Sequence, residues 1–400
     1  MFAAAKSTEN SPRPSIGFHA LALATFFGAS AAPTPLYRIY QENFAVSPVL
    51  ITVIFAVYAF ALLAALLIAG SLSDHLGRKP VIFFALVLEI IAMGLFVVAS
   101  GPGWLIAARI VQGVATGIAG ASLGAALVDV DRAKGQIVNS IEPLSGMAVG
   151  AVGTSALIQY GPFPMHLVYA LLLLAFTLQA AAIWLTRETG GRRPGALGSL
   201  VPRVSVPPQA KRPLSVVTPI NIANWTLAGF YLSLVPSLVA GTTGSTAPLT
   251  GGAVVTALMV SGAVTVYARR GKSASANLGF GVSAKTLGIL TVVAGVHLAN
   301  VPLLLIGTVF TGAGFGTNFL GSIGTIMPHA KAEERAGLLS AFYVQSYLAF
   351  SLPAILAGFL AKSAGYQVTT DIYATAILLL MGAGLIAVRA GRRRMEENAA

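Results

Sequence analysis

The chain has 400 residues, 56% hydrophobic and only 10% charged, with mean hydropathy +0.80 and a formal net charge of +12. A soluble protein of this length needs far more charge to cover its surface, so a water-soluble fold is excluded. The absence of cysteine excludes disulfides, thiolate nucleophiles and thiolate metal sites.

Apolar runs long enough to cross a bilayer, about 20 residues each, follow one another along the chain. In hydrocarbon each must satisfy its own backbone groups, so each is expected to be a helix. The runs fall near 16–36, 48–70, 80–99, 104–127, 137–159, 164–186, 215–236, 248–268, 283–299, 301–321, 337–361 and 370–389. The expected fold class is an all-α membrane protein with twelve transmembrane helices. Ahead of the first run, Lys6 and Arg13, with Ala29-Ser30-Ala31 inside it, resemble a cleavable signal peptide. Cleavage would break the charge alternation downstream, so an uncleaved first helix is expected. At its far end Thr34 and Tyr37 flank Pro33 and Pro35, which can interrupt the helix and present backbone groups to a ligand.

The loop between the second and third runs reads Gly70-Ser71-Leu72-Ser73-Asp74-His75-Leu76-Gly77-Arg78-Lys79. Asp74 can cap the next helix and pair with Arg78, and Gly70 and Gly77 permit a sharp turn between close helices. Such a clasp can hold one conformation and release another; the plainer alternative is an ordinary basic loop. The segment resembles the major facilitator superfamily, whose corresponding loop reads G-x-L-x-D-x-x-G-R-K/R. The resemblance implies two six-helix bundles related by a pseudo-two-fold axis. It also implies an acidic partner for the loop at the end of the fourth helix. Asp129 fills that place, making Gly70, Asp74, Gly77, Arg78, Lys79 and Asp129 the expected conformational latch. Asp131 is the substitute, and both acids can also serve simply to end the helix.

Further along, Glu89 lies near the middle of the third run. Proton coupling needs a group that gains a proton in one state and loses it in another. Glu89 and Glu142, the latter about a turn and a half into the fifth run, are the candidates, since the first run has no acidic residue. In the family fold the third helix is peripheral, and Glu142 could instead face His75 or Arg78. The fourth run contains Leu105-x-x-x-Arg109-x-x-Gln112-Gly113, which looks like the family's R-x-x-Q-G motif, associated there with proton-coupled members. An arginine inside an apolar helix usually faces a cavity or a partner. Arg109 could tune a nearby carboxylate, hold an anionic substrate, or snorkel to the surface. In the fifth run Gly146, Gly150 and Gly153 make a small-residue ridge. It resembles a motif of drug-exporting antiporters, but Thr154 stands where that motif has proline, and plain packing explains the ridge equally well.

Arg187 to Pro213 is the one long polar stretch, rich in Gly, Pro and Arg, and reads as a linker. The expected division is an N-terminal bundle over 1–190, a linker over 191–213 and a C-terminal bundle over 214–400. A weak repeat agrees: Gln112-Gly113 with Gly117 is matched by Thr311-Gly312 with Gly316, an offset of 199. In the second half Asn221, Asn224, Trp225, Asn318, Tyr343 and Tyr347 are polar or aromatic groups in apolar helices. With Thr34, Tyr37 and Gln112 they are cavity candidates, although each can equally be an interhelical contact. The family resemblance implies a cavity lined mainly by the first, fourth, seventh and tenth helices, with contributions from their neighbours; these residues give it little fixed charge besides Arg109. It suits a neutral, cationic-amphiphilic or weakly anionic organic molecule. The loop Arg269-Arg270-Gly271-Lys272 lacks an Asp, so the latch is expected to be one-sided. His297, taken as the one clearly intramembrane histidine, and Asp371 sit near outer helix ends.

Of the 25 Lys and Arg, all but Arg38, Arg109 and Lys362 fall in alternate loops, with Lys285 assigned to the loop before the ninth run. By the positive-inside rule this places both termini in the cytoplasm, in the inner or plasma membrane. The basic charge is thus a topology signal, and nucleic acid is not an expected partner. No ATP-binding loop, cofactor motif or metal motif occurs, and no convergent catalytic set is visible. The expected partners are the lipid bilayer, a small-molecule substrate and protons, with a monomer sufficient. The first reading is a proton-coupled exporter working by antiport. The second is a proton symporter importing an organic acid or nutrient. A non-transporting receptor or intramembrane enzyme is the reading from another class.

Overall fold

The computed structural model describes residues 16–245 and 247–397, with side chains as far as Val388. Lys6 and Arg13 lie outside the described residues, as do the side chains of Arg389 and Arg392 to Arg394. Among the described residues there are eleven helical segments long and apolar enough to cross a membrane. The last holds two crossings, which makes twelve.

The helices begin and end where local chemistry dictates. The first crossing is α1 (Ile16–Ala31) and α2 (Pro33–Asn43), interrupted where Pro33 and Pro35 remove backbone donors. Ser47 caps α3 (Pro48–Ala69) by accepting from Leu50 N at 3.3 Å. The short α4 (Ser73–Leu76) turns at Gly77 into α5 (Arg78–Val97). The fourth crossing is α6 (Pro102–Val130). Asp131 then caps α7 (Arg132–Tyr160) through Lys134 N at 3.0 Å, and α8 (Leu167–Ala182) completes the first six. After a stretch with little regular structure come α9 (Pro208–Thr243) and α10 (Pro248–Arg269). Ser273 caps α11 (Ala274–His297) and Asn300 caps α12 (Val301–Ile326). Finally α13 (Arg335–Glu397) is broken at Gly365, whose φ of +82° only glycine adopts without strain.

The first six crossings and the last six meet mainly through their ends remote from the Asp74 loop. There Thr34 Oγ1 donates to Leu232 O at 2.9 Å, joining α2 to α9, and Ser237 Oγ donates to Gln41 Oε1 at 3.1 Å. Phe55 packs on Phe350 with ring centroids 4.8 Å apart, joining α3 to α13. Thr256 Oγ1 donates to Ala148 O at 3.2 Å, joining α10 to α7. Glycines permit two of these seams: Gly358 lies against Thr52, and Gly252 against Ser155. Towards the Asp74 loop the helices part around a cavity of about 710 Å³. The molecule is therefore closed on one face and open on the face that carries the Asp74 loop, hereafter the latch face.

Candidate functional site: latch, buried charge network and cavity

At the latch face Arg78 is the hub. Its Nη1 donates to Asp74 Oδ1 and, at 2.8 Å, to Ser73 Oγ, while its Nε donates to Asp129 Oδ2 at 2.9 Å. Asp129 is thus the acid in contact, and Asp131 is occupied in capping α7. Gly77 has φ +96° and ψ +157°, a conformation in which any Cβ is strained. Glu188, which sequence reasoning missed, completes the cluster. Its carboxylate accepts from Arg78 N at 2.7 Å, Lys79 N at 3.1 Å and Gly190 N at 3.0 Å, capping the positive end of α5. Lys79 returns the favour electrostatically, its Nζ donating to Trp184 O and Thr186 O at the carbonyl end of the sixth crossing. In the second half Arg269 Nε donates to Asn277 Oδ1 at 3.2 Å, so an amide occupies the place of the latch acid.

The second feature is a charge network buried between α1, α3, α5 and α6. Arg109 is wholly buried and does not snorkel. Its Nη1 donates to Ser30 O at 3.0 Å and Gln112 Oε1 at 2.7 Å, and its guanidinium lies over the Tyr58 ring at 4.1 Å. Gln112 Nε2 donates to Ala29 O at 3.0 Å and to Glu89 Oε1 at 3.2 Å. Glu89 has no accessible surface, and its Oε2 has no partner among the described residues. Gln112 therefore bridges an acid and a base that do not touch. No residue of α5 lines the cavity, but α5 packs directly on α6 and brings Glu89 to the bridge. Glu142 is half-buried and makes no hydrogen bond or ion pair among the described residues, so it faces neither His75 nor Arg78 as a partner.

The cavity begins one turn from this network. Thr116, four residues after Gln112, lines it and donates to Gln112 O at 2.9 Å. Leu62, four residues after Tyr58, lines it from α3. Of the residues expected to face the cavity, Tyr343 and Tyr347 do. Thr34 is buried in the closed seam, Tyr37 is buried, and Gln112 belongs to the charge network. Asn221 is bonded to Gln345 and Ser346, Asn224 to Lys285, and Asn318 is buried against Gly281. Trp225 packs against Tyr347, with tilted rings 5.1 Å apart. The walls come from α1, α3, α6, α7 and α13, rather than from the seventh and tenth crossings, because the tyrosines of α13 stand between α9 and the open space. The segment Gly195 to Arg203 crosses the mouth, held by Ser71 Oγ donating to Ser199 O at 3.2 Å and His75 Nδ1 donating to Pro194 O at 3.0 Å.

Gly146 and Gly150 pack directly on the backbone of α1 at Ala24 and Gly28, and Gly113 on α3 at Tyr58. Gly153 is not part of that ridge, since nothing lies within 4 Å of where its Cβ would stand. Two further corrections concern titratable groups. Lys285 is no loop residue: α11 begins at Ala274, and the lysine is wholly buried within the crossing. His19, in the first turn of α1, is buried with neither ring nitrogen hydrogen-bonded among the described residues, whereas His297 is exposed and paired with Asp371 at 2.9 Å.

Twelve apolar helices surround a cavity open to one face and closed opposite by a seam between the two sets of six, the architecture of a membrane transporter. The family model described as Major Facilitator Superfamily matches residues 20–285, and the chain belongs to that superfamily. It is a transporter rather than an enzyme. Over 140 residues it is 30% identical to the multidrug resistance protein MdtL of Shewanella sp. (strain ANA-3), a match covering 34% of this chain and 35% of that protein. The chain thus matches about a third of that relative's length. Its fold is similar to the crystal structure of a nucleoside transporter, NupG, with a TM-score of 0.73 and 11% identity, covering 92% of this chain and 98% of that one.

Proposed function

We propose that the protein is a proton-coupled exporter that moves a small organic molecule by antiport, with both termini in the cytoplasm and the latch face inward. The observation that carries this reading is the Glu89–Gln112–Arg109 bridge, one helical turn from the cavity. A carboxyl group in apolar surroundings, bonded through one oxygen only and joined by an amide to a fixed cation, can exchange a proton as its neighbours move. Thr116 and Leu62 connect any movement of the cavity wall to that carboxyl through α6 and α3. The bland cavity, whose charged groups lie at its mouth, suits a neutral or amphiphilic compound. The partial likeness to a multidrug resistance protein supports export. The bundles over 1–190 and 214–400, joined by a linker over 191–213, are the moving bodies, and one chain suffices. The latch of Arg78 with Asp74 and Asp129, backed by Glu188, fastens the N-terminal bundle's inner end, and release of its contacts accompanies the change of access.

The test uses everted vesicles from a bacterial inner membrane with an inside-acid gradient, a pH-sensitive dye and a panel of cations, neutral amphiphiles and organic acids. A compound that collapses the gradient with wild type but not with Arg109→Ala or Glu89→Gln supports antiport through this bridge. Loss in Glu142→Gln instead moves the coupling site. If no compound collapses the gradient, yet weak acids enter right-side-out cells faster at low external pH, the protein is a symporter.

A further inference from the structure

Lys285 sits eleven residues beyond Ala274, about 16 Å along α11 at 1.5 Å per residue, and so deep in the crossing. An ammonium offers three N–H donors, and here one hydrogen bond is made, to Asn224 Oδ1 on α9. The Phe315 ring centroid lies 5.6 Å from Nζ. No acidic side chain among the described residues pairs with it. Among the described residues, the elements packed on α11 offer no other charge partner. The α12 helix has no titratable residue. On α9, Lys211 and Arg212 stand in its first turns and Tyr231 is bonded to Thr308. On α13, Tyr343 and Tyr347 face the cavity, Tyr373 is bonded to Pro353 O, and Asp371 is paired with His297.

The seam around the lysine holds more polar atoms than bonds. Asn224 Nδ2 has no partner, and Asn318 on α12 is buried with both side-chain atoms unpartnered. Asn318 lies against Gly281, one turn before Lys285, and the Lys285 Cβ lies against Gly314, one turn before Asn318. Buried polar groups without partners cost free energy. A simple tie between helices needs only a pair of amides. The offset of 199 between the halves maps Glu89 onto Gly288, one turn from Lys285 on the same face of the equivalent helix.

We propose that Lys285 is a second proton-binding site of the transporter, in its C-terminal half, with Asn224 and Asn318 as its hydrogen-bonding partners. The Nζ lone pair takes up a proton when α9 and α12 shift and water reaches the seam. The asparagine oxygens then receive the added N–H, and the proton leaves as the seam closes. The use of this site in transport rests on the proton-coupled reading, but its existence as a titrating group does not.

The chain has three tryptophans, so Trp104→Phe with Trp184→Phe leaves Trp225, the neighbour of Asn224, as the reporter. The full-length protein in lipid nanodiscs, without substrate, is titrated over roughly pH 5 to 10, the span in which lysine side chains titrate in proteins. We expect one Trp225 fluorescence transition that survives Glu89→Gln and is lost in Lys285→Met. It should also be lost in Lys285→Arg, whose guanidinium stays charged throughout; this variant guards against a misfolded methionine variant. A transition unchanged in a folded Lys285 variant, or none in the parent, overturns the site, even where gradient-driven transport through Glu89 persists. A transition that disappears with Lys285, in a protein whose transport ignores the proton gradient, upholds the site and overturns the coupling reading instead.

Discussion

The two halves hold their buried basic side chains differently. In the first, Arg109 is bonded to a carbonyl and an amide, stacked on Tyr58 and joined through Gln112 to Glu89. In the second, Lys285 has one amide oxygen and no acid. A charge with several fixed partners, one leading to a counter-charge, braces the helices around it. A charge with one neutral partner contributes little bracing and is free to change state. The latch shows the same asymmetry: Asp74, Asp129 and Glu188 surround Arg78, whereas Arg269 is bonded to Asn277 and backbone, lies over the Phe280 ring and meets no acid among the described residues. The first half is therefore the electrostatically fastened body, and the second is fastened by packing.

The sharpest way to break this comparison is Arg109→Ala. Truncating one member of a buried, hydrogen-bonded charge set costs about 3–5 kcal/mol, and transport should be abolished. Thermal unfolding in detergent should show the loss, and Glu89→Gln in the same chain should recover part of it by removing the stranded acid. Lys285→Met should cost much less, since no counter-charge is stranded. Equal losses for the two would erase the distinction between the halves. Gly77→Ala comes next, because φ +96° with ψ +157° admits a Cβ only with strain of about 1–3 kcal/mol. Its effect should appear as lowered transport and a lowered unfolding temperature. The same substitution at Gly153, which faces open space, should change neither.

How far these sites could be read beforehand follows from what each depends on. The crossings were legible because apolar length is a local property, and so was the latch loop, whose signature is contiguous. Arg78 with Asp74 is a four-residue spacing on one chain segment; Asp129 needed the family resemblance. Glu188 was not legible, since it meets Arg78 across 110 residues and sits in a segment that reads only as the start of a linker. Glu89 was visible as a deep carboxylate, but its link to Arg109 depends on which face of α5 meets α6. The burial of Lys285 was not legible because Asn277, the nearby serines and the lysine itself lower the apolar signal ahead of 283. Ser273, which caps the helix through Ala276 N, was the available correction. The cavity lining was not legible because the contact of Trp225 with Tyr347 keeps α9 behind α13.

A smaller effect should follow from loosening the latch. Asp129→Asn removes one of the two acids on Arg78, in a pair whose side chains are 11% and 31% exposed. Screening limits such a contact to about 1 kcal/mol, a fivefold shift between two conformations at most. Because the chain has no cysteine, Ser340→Cys in the cavity wall is a clean reporter. Its maleimide labelling rate should change with Asp129→Asn and stay the same with Asp131→Asn, whose acid caps α7. Equal responses would mean that helix capping, and not the Arg78 cluster, sets the balance.

The smallest effect belongs to the closed face. Arg38 and Glu42 form an i,i+4 pair at 3.0 Å on α2, with side chains 34% and 60% exposed. Such pairs are worth about 0.3–0.5 kcal/mol on a helix surface. The seam beside it is held instead by Thr34 to Leu232 O and by Ser237 to Gln41, both at least partly buried. Arg38→Ala should therefore leave labelling of Ser340→Cys and transport within experimental scatter. Thr34→Val, which removes the buried bond to α9 without changing volume, should lower the labelling rate as the closed face loosens. If Arg38→Ala has the larger effect, the closed seam is governed by surface charge, and both ends of the transporter would then be electrostatic devices.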